Sequence, residues 1–482
     1  LNLGLLAPEL SLAATAIVVI LLDLVVSRKG WLAAVSIAGI LVSGGFSLAM
    51  WGGSAQGVFN NMLAVDGFAL FFKLLFLASA ALVILFSVDY VAKFARFQGE
   101  FYALILLSAL GMMLMAATTE LISIYVSLEL ASISLYALVG FLKDSKSTEA
   151  SLKYLLLGAV ASAVLLFGMA LVFGFTGRTQ LGEIAQALQG MSLSPGLILG
   201  MVLLIAGFGF KIASVPFHMW VPDVYEGAPT PITAYLSVAS KAAGFAIILR
   251  VFFTAFGLDW LSANWGIVFA ALATISMTLG NITAIPQSNI KRLLGYSSIA
   301  QAGYLMVGLA AVGMSPVTDS VARGTILFFL ASYTLTNLGA FAAIIAISNK
   351  LGSDLIEDYS GMIKRAPLLA LGLSLCLISL IGMPPAAGFI AKFWLFKGAV
   401  ENGLLWLVII AVLNSVISAY YYLRVVKVMW LGEPASEEKV PSSGALRVAL
   451  AISCLGVLLL GTVVPGLLTG QLADIAAKLL TF

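Results

Sequence analysis

The sequence is poor in the residues that hold metals and redox groups: its 482 residues include two cysteines and one histidine. Cys376 and Cys454 stand far apart along the chain in apolar segments, neither with a Cys or His at ligand spacing. Iron–sulfur, zinc and haem sites therefore have no support, and the single His218 leaves no multi-histidine centre. There is no phosphate-cradling G-x-x-x-x-G-K-[ST] run and no G-x-G-x-x-G between a strand and a helix, so nucleotide binding has no support either. Charge is scarce as well. Only 10% of residues are charged, the net charge is +3, and no basic cluster points to nucleic acid. A soluble domain carries roughly 25% charged residues, so this chain lacks the means to be solvated.

What replaces charge is hydrophobic residues, 61% of the chain, with a mean hydropathy of +1.09. Apolar runs of about 18 or more residues recur along the whole length, each able to cross a ~30 Å hydrocarbon core. Backbone polar groups find no water in lipid, so such runs are helices or barrel strands, and these runs lack the two-residue alternation of a barrel. The expected fold is all-α integral membrane, with about fourteen transmembrane helices. The spans are read at 7–26, 31–50, 67–88, 101–118, 121–141, 150–174, 197–217, 231–253, 264–284, 297–313, 322–348, 367–397, 404–428 and 446–466.

Glu9 precedes the core of the first span and Asp23, Arg28 and Lys29 follow it, the reverse of a signal peptide. With the N-terminus outside, Arg28, Lys29, Lys93, Arg96, Lys143, Lys146, Lys350, Lys364, Arg365 and Lys427, among others, fall at inner ends. Only Arg178, Arg250, Arg323 and Lys478 fall outside. The positive-inside rule selects this orientation, with both termini on the outer side of a cell inner (plasma) membrane.

The sequence also echoes itself. Tyr136-x-x-Val139-Gly140 returns as Tyr304-x-x-Val307-Gly308, and Leu249-Arg250-Val251 as Leu423-Arg424-Val425, each pair five spans apart. An odd offset inverts the second copy in the membrane. Span seven runs into Ser214-Val215-Pro216, and span twelve carries Gly382-Met383-Pro384-Pro385 in its middle. Proline removes a helix hydrogen bond and clashes with the preceding turn, so helices 7 and 12 should both be broken. Paired breaks in two halves point to the ion site of a transporter. The expected division is residues 1–100 (helices 1–3), 101–253 and 264–430 (two inverted five-helix repeats), and 446–482 (a last helix).

Within the spans lie Lys73, Lys153, Lys211, Lys241, Lys392 and Lys397, together with Glu129. An ionisable residue at the bilayer centre costs about 2.5–3.5 kcal/mol, so such residues pair or serve a purpose. Burial lowers a lysine pKa by up to roughly 3–5 units and a nearby carboxylate restores it, so a lysine whose acidic partner comes and goes switches its proton near neutral pH. Glu129 lies mid-span, Lys211 and Lys392 flank the two breaks, and Lys241 is deep among small residues. Lys73, Lys153 and Lys397 lie nearer span ends, where a lysine stem can snorkel to the surface. His218 follows the first break and can relay a proton. In the second half Ser297 takes the slot of Glu129 and Ser415 that of Lys241, so most buried charge belongs to the first half.

Five stretches are more specific: Phe217–Pro231, Lys153-Tyr154, Asn289–Leu294, Tyr333–Gly339 and Pro384–Phe393. Together they resemble the N-type antiporter-like membrane subunit of complex I (subunit N, or subunit 2, of NADH:quinone oxidoreductase). The resemblance covers roughly residues 60–430. It implies a proton-translocating membrane-arm subunit without a redox centre or cofactor of its own. The quinone and the electron carriers would reside in other subunits, and the neighbours would be of M-, K- and J-type. It also implies that Glu129 and Lys211 form a coupling pair, that Lys153 and Lys241 continue a lateral relay, and that Lys392 is the terminal proton carrier. Many relatives carry histidine where this chain has Gln301, and an amide takes up no proton. The alternative is an Mrp-type sodium/proton antiporter subunit, against which the run Val224-Tyr225-Glu226-Gly227-Ala228-Pro229 argues.

Overall fold

A computed structural model describes residues 3–462, apart from 27–28, 92–96, 192–193, 315–319, 435 and 437. Arg28, Lys93, Arg96, Lys478 and the part of the last segment beyond 462 lie outside the described residues. Among the described residues thirteen helices are long and apolar enough to cross a membrane, and a fourteenth span is built from two shorter helices. The multi-pass all-α membrane architecture is thus as the composition demands. The spans are Ala7–Val25, Gly30–Ala49, Gly67–Val91, Gln98–Ala117, Leu121–Val139, Ser145–Thr176, Pro195–Ile212, Thr230–Thr254, Asp259–Ala284, Ile290–Met314, Ser320–Leu351, the pair Pro367–Ile381 and Ala387–Glu401, Leu405–Leu431 and Gly444–Thr462.

Several helices start earlier than their apolar runs. Span six begins at Ser145 because the Asp144 carboxylate accepts from the Ser147 amide at 2.7 Å. Span ten begins at Ile290, where Asn289 Oδ1 accepts from the Lys291 amide at 2.9 Å. A capping oxygen extends a helix into polar sequence that hydropathy assigns to a loop.

Spans eight, ten and eleven form the centre: their most apolar windows are 100%, 94% and 89% buried, against 33% or less for spans one, two, six and fourteen. The outer helices turn residues such as Ile17, Leu21, Leu156, Phe167 and Leu455 outward, as expected of a surface solvated by lipid or by neighbouring membrane helices. Cys454 packs against the Gly372 carbonyl, one turn from Cys376, so the two cysteines meet where spans twelve and fourteen touch.

Alternate loops gather on opposite faces. One face holds a basin of about 470 Å³ lined by residues that include Tyr90, Asp144, Lys146, Glu226, Lys291 and Asp354, from the end of span three, the starts of spans six and ten, and the connections after spans five, seven and eleven. The other face holds the hairpin Gln56–Val58/Leu63–Val65, whose Leu63 bridges Thr118, and the bridge between Glu120 and Gln180. Near that second face Arg250 donates to both oxygens of Asp66, at 2.5 and 3.1 Å, and to the Ala116 carbonyl at 2.8 Å. This pair fastens span eight to spans three and four.

One expectation is corrected. Lys73 does not snorkel: it is 0% exposed and forms an ion pair with Glu9 at 2.6 Å. The carboxylate on span one supplies inside the bundle what water would otherwise supply at the surface. Lys397 does reach the surface, 61% exposed beside Glu401.

Candidate functional site

Both breaks fall where the prolines require. Span seven stops at Ile212 with Ala213 left-handed (φ 61°), and the chain resumes as a helix only at Val221. Span twelve stops at Ile381, passes through Gly382 (φ 89°) and resumes at Ala387. Each break contains one cis prolyl bond, Val215–Pro216 and Pro384–Pro385.

At the second break the backbone arithmetic is simple. In an unbroken helix the carbonyls of Leu380 and Ile381 would accept from residues 384 and 385, but both are proline and have no N–H. Lys392 fills the two vacancies, its Nζ donating to Leu380 O at 3.1 Å and to Ile381 O at 2.9 Å. A third donor goes to Ser415 Oγ at 2.9 Å, and the ammonium lies 4.2 Å from the centre of the Tyr304 ring. Gly382 is required twice over, by its positive φ and because a Cβ there would sit 2.9 Å from Lys392 Cδ.

At the first break the lysine is used differently. Lys211, 5% exposed, donates to Ser132 Oγ at 2.6 Å, while the Trp220 indole takes the Phe210 carbonyl at 3.1 Å. Glu129 lies one turn before Ser132 on span five, is half-buried, and accepts from the Ser162 hydroxyl. No ion pair joins Glu129 to Lys211; Ser132 stands at their junction. His218, 8% exposed, sits in the loop of this break.

Lys241 occupies the centre of the protein, 2% exposed. A π-helical turn, Leu236–Ser240, delivers it, and such wide turns are frequent at functional positions. Gly244, one turn on, lets span eight close on the first break, since a Cβ there would meet Ile212 Cγ2 at 2.8 Å. Lys241 Nζ donates to the carbonyl and hydroxyl of Ser298 and lies 5.5 Å from the Tyr333 ring centre. Ser298 also bonds the hydroxyls of Tyr225 at 3.0 Å and Tyr333 at 3.3 Å.

Lys153 stands apart from these three. Its side chain is 43% exposed and pairs with Glu149 and Asp223, both at 2.7 Å. Arg292 bridges Asp223 and Glu226 beside it, at 2.7 and 3.0 Å. The group lines a second, 220 Å³ hollow that shares Lys146, Glu226 and Gly227 with the larger basin. Lys153 therefore sits at the mouth of the protein rather than between Lys211 and Lys241. The reading of the sequence named Ser415 and Ser297 only as replacements for charged residues, and passed over the other hydroxyls around the lysines, among them Ser132, Ser298 and Tyr333. In an apolar span such residues look like ordinary packing, and nothing in their spacing sets them apart.

The two broken helices and the buried lysines define a class, the antiporter-like membrane subunits. Residues 118–418 match the family described as "NADH:quinone oxidoreductase/Mrp antiporter, TM", and the chain belongs to it. Within that family it is similar to NADH-quinone oxidoreductase subunit N of Dehalococcoides mccartyi, 52% identical with 95% of this chain and 96% of that protein covered. A chain of respiratory complex I from Thermus thermophilus, solved with bound aureothin, superposes with a TM-score of 0.81 at 33% identity, covering 96% of this chain and 99% of that one. A chain of the Mrp complex from Dietzia sp. shares the fold, with a TM-score of 0.86 at 21% identity, covering 99% of this chain and 97% of that one.

Proposed function

We propose that the chain is a proton-translocating membrane-arm subunit of a complex I-type NADH:quinone oxidoreductase. It couples quinone reduction elsewhere in the assembly to proton movement through Glu129, Lys211, Lys241 and Lys392. One observation carries the reading. Lys73, Arg250 and Lys291 each hold a carboxylate within 4.0 Å, whereas among the described residues Lys211, Lys241 and Lys392 hold none. A buried ammonium fixed by a carboxylate keeps its proton. One held only by hydroxyls and carbonyls can release it when the field around it changes.

The route begins at the water-facing basin, where Lys153 stands in an ion-pair cluster with Glu149, Asp223 and Arg292, and His218 is a secondary relay position in the first break. It runs inward past Lys211 and Lys241 and ends at Lys392. Moving one charge against 100 mV requires about 2.3 kcal/mol, delivered by coupled titration of neighbouring groups. The paired breaks support dividing the chain into residues 1–100, the inverted repeats 101–253 and 264–430, and a last segment 446–482. The M-, K- and J-type subunits are the neighbours, and the chain holds no cofactor of its own. The inner membrane is the location, with the basin toward the cytoplasm and both termini outside.

The test is to purify the tagged chain from its native membranes and reconstitute what accompanies it. Quinone reduction with proton movement across the vesicle is expected. A chain that purifies without quinone reductase subunits and exchanges sodium for protons overturns the proposal.

A further inference from the structure

Between Lys241 and Lys392 stands span ten, and neither lysine touches the other's partners directly. Lys241 ends on Ser298, while Lys392 ends on the Leu380 carbonyl, which also accepts from Gln301 Nε2 at 3.1 Å. Ser298 and Gln301 lie on the same span less than one turn apart, so the two polar environments are adjacent. Gln301 cannot join them, because an amide passes no proton at neutral pH. The residue that fills the gap comes from span thirteen. The Tyr422 hydroxyl, 0% exposed, bonds the Ser297 hydroxyl, next in the chain to Ser298, and also meets the Gln301 side chain. Its neighbours are organised around it: the Tyr421 hydroxyl donates to Asn281 Oδ1 at 2.9 Å, and Asn281 Nδ2 donates to the Tyr304 hydroxyl at 3.2 Å. Tyr304 is the ring beneath Lys392.

We infer that the paired hydroxyls of Ser297 and Tyr422 are the junction through which a proton passes from the Lys241 side to the Lys392 side. The inference rests on the proposed pumping function. A hydroxyl both donates and accepts, so each can take a proton on its oxygen from behind as it releases its own forward, and neither keeps a net charge. The Lys241 ammonium loses one proton and a neutral Lys392 amine gains one, with water carrying it from Ser298 to Ser297 and from Tyr422 to Lys392, and the hydroxyls end reoriented but chemically unchanged. Gln301 is a positioning residue here, held by Leu380 O on one side and touching Tyr422 on the other.

The experiment uses the intact complex in proteoliposomes, with assembly checked by co-purification. Tyr422→Phe keeps the ring and removes the hydroxyl. Proton uptake should fall by about a hundredfold, the lower end of what a positioned proton-transfer group supplies. Ser297→Ala should slow uptake similarly and Ser297→Thr restore it. Replacing Tyr422 by 3,5-difluorotyrosine, a more acidic phenol of nearly the same shape, should move the pH profile of pumping to lower pH. A packing role would leave that profile unmoved. Uptake by Tyr422→Phe within twofold of the parent, or an unshifted profile with difluorotyrosine, overturns the junction. Lys392→Arg run beside them separates the two failures: if it blocks pumping while Tyr422→Phe does not, the junction alone falls.

Discussion

Lys392→Arg should assemble and fail to pump. The side chain threads past Gly382 with its Cδ in close contact, and lysine and arginine are alike up to that atom. Beyond it the guanidinium has more donors than the ammonium, enough to satisfy Leu380 O, Ile381 O and Ser415 Oγ, which Lys392 now holds at 3.1, 2.9 and 2.9 Å. Folding is therefore preserved. Proton release is not. Arginine holds its proton far above neutral pH, so deprotonation at pH 7 is uphill by at least ~5 units at about 1.4 kcal/mol each, or about 7 kcal/mol, a factor of roughly 10⁵ in the neutral population. The assay is donor-driven quinone reduction and proton uptake in vesicles containing the reconstituted complex. Uptake should vanish and, through tight coupling, quinone reduction should slow. Lys392→Glu should keep more activity, since a buried carboxylic acid also titrates. Full pumping by Lys392→Arg would refute the idea that this side chain cycles between charged and neutral forms.

Glu129→Gln should slow the whole complex by removing the one carboxylate a turn away from the Ser132–Lys211 contact, while Glu129→Asp retains part of the rate; equal turnover of Gln and parent in proteoliposomes would make Glu129 a packing residue. Asp66→Asn should leave Arg250 buried without its carboxylate and cost about 3–5 kcal/mol, read as lost assembly or a lowered melting temperature of the purified complex. A cysteine at Ser353, in the basin wall, should resist a membrane-impermeant thiol reagent added outside intact cells, and efficient labelling there would invert the topology.

The positions of the spans and of both breaks were legible because each rests on a local property. Twenty apolar residues must be a helix in lipid, and Pro216 or Pro384–Pro385 must interrupt one. The burial of Lys211, Lys241 and Lys392 was legible for the same reason. Pairing was not. Glu9 and Lys73 are brought together only by the packing of spans one and three, and hydropathy carries no term for a partner on another helix. Lys153 reads as a residue near a span end and does reach the water-facing side, but its partner Asp223, from beyond the first break, carries no signal in the local sequence. The hydroxyls of Tyr225, Tyr333 and Tyr422 escaped notice for a different reason. Buried tyrosine is common in apolar cores, and only the three-dimensional arrangement shows which hydroxyls gather on Ser297 and Ser298.

The distinction between paired and unpaired buried cations is the core of the functional reading, and one comparison addresses it directly. Protons moved per quinone reduced should be measured in the reconstituted complex for Lys241→Met and for the double variant Glu9→Gln/Lys73→Met. The double variant removes a charge pair together and leaves no lone buried ion, so it should assemble and keep the parent ratio. Lys241→Met removes a lysine held only by Ser298, within reach of the Tyr333 ring, and should lower the ratio or stall turnover. A parent ratio and rate for Lys241→Met would contradict a proton route through the unpaired lysines of this chain.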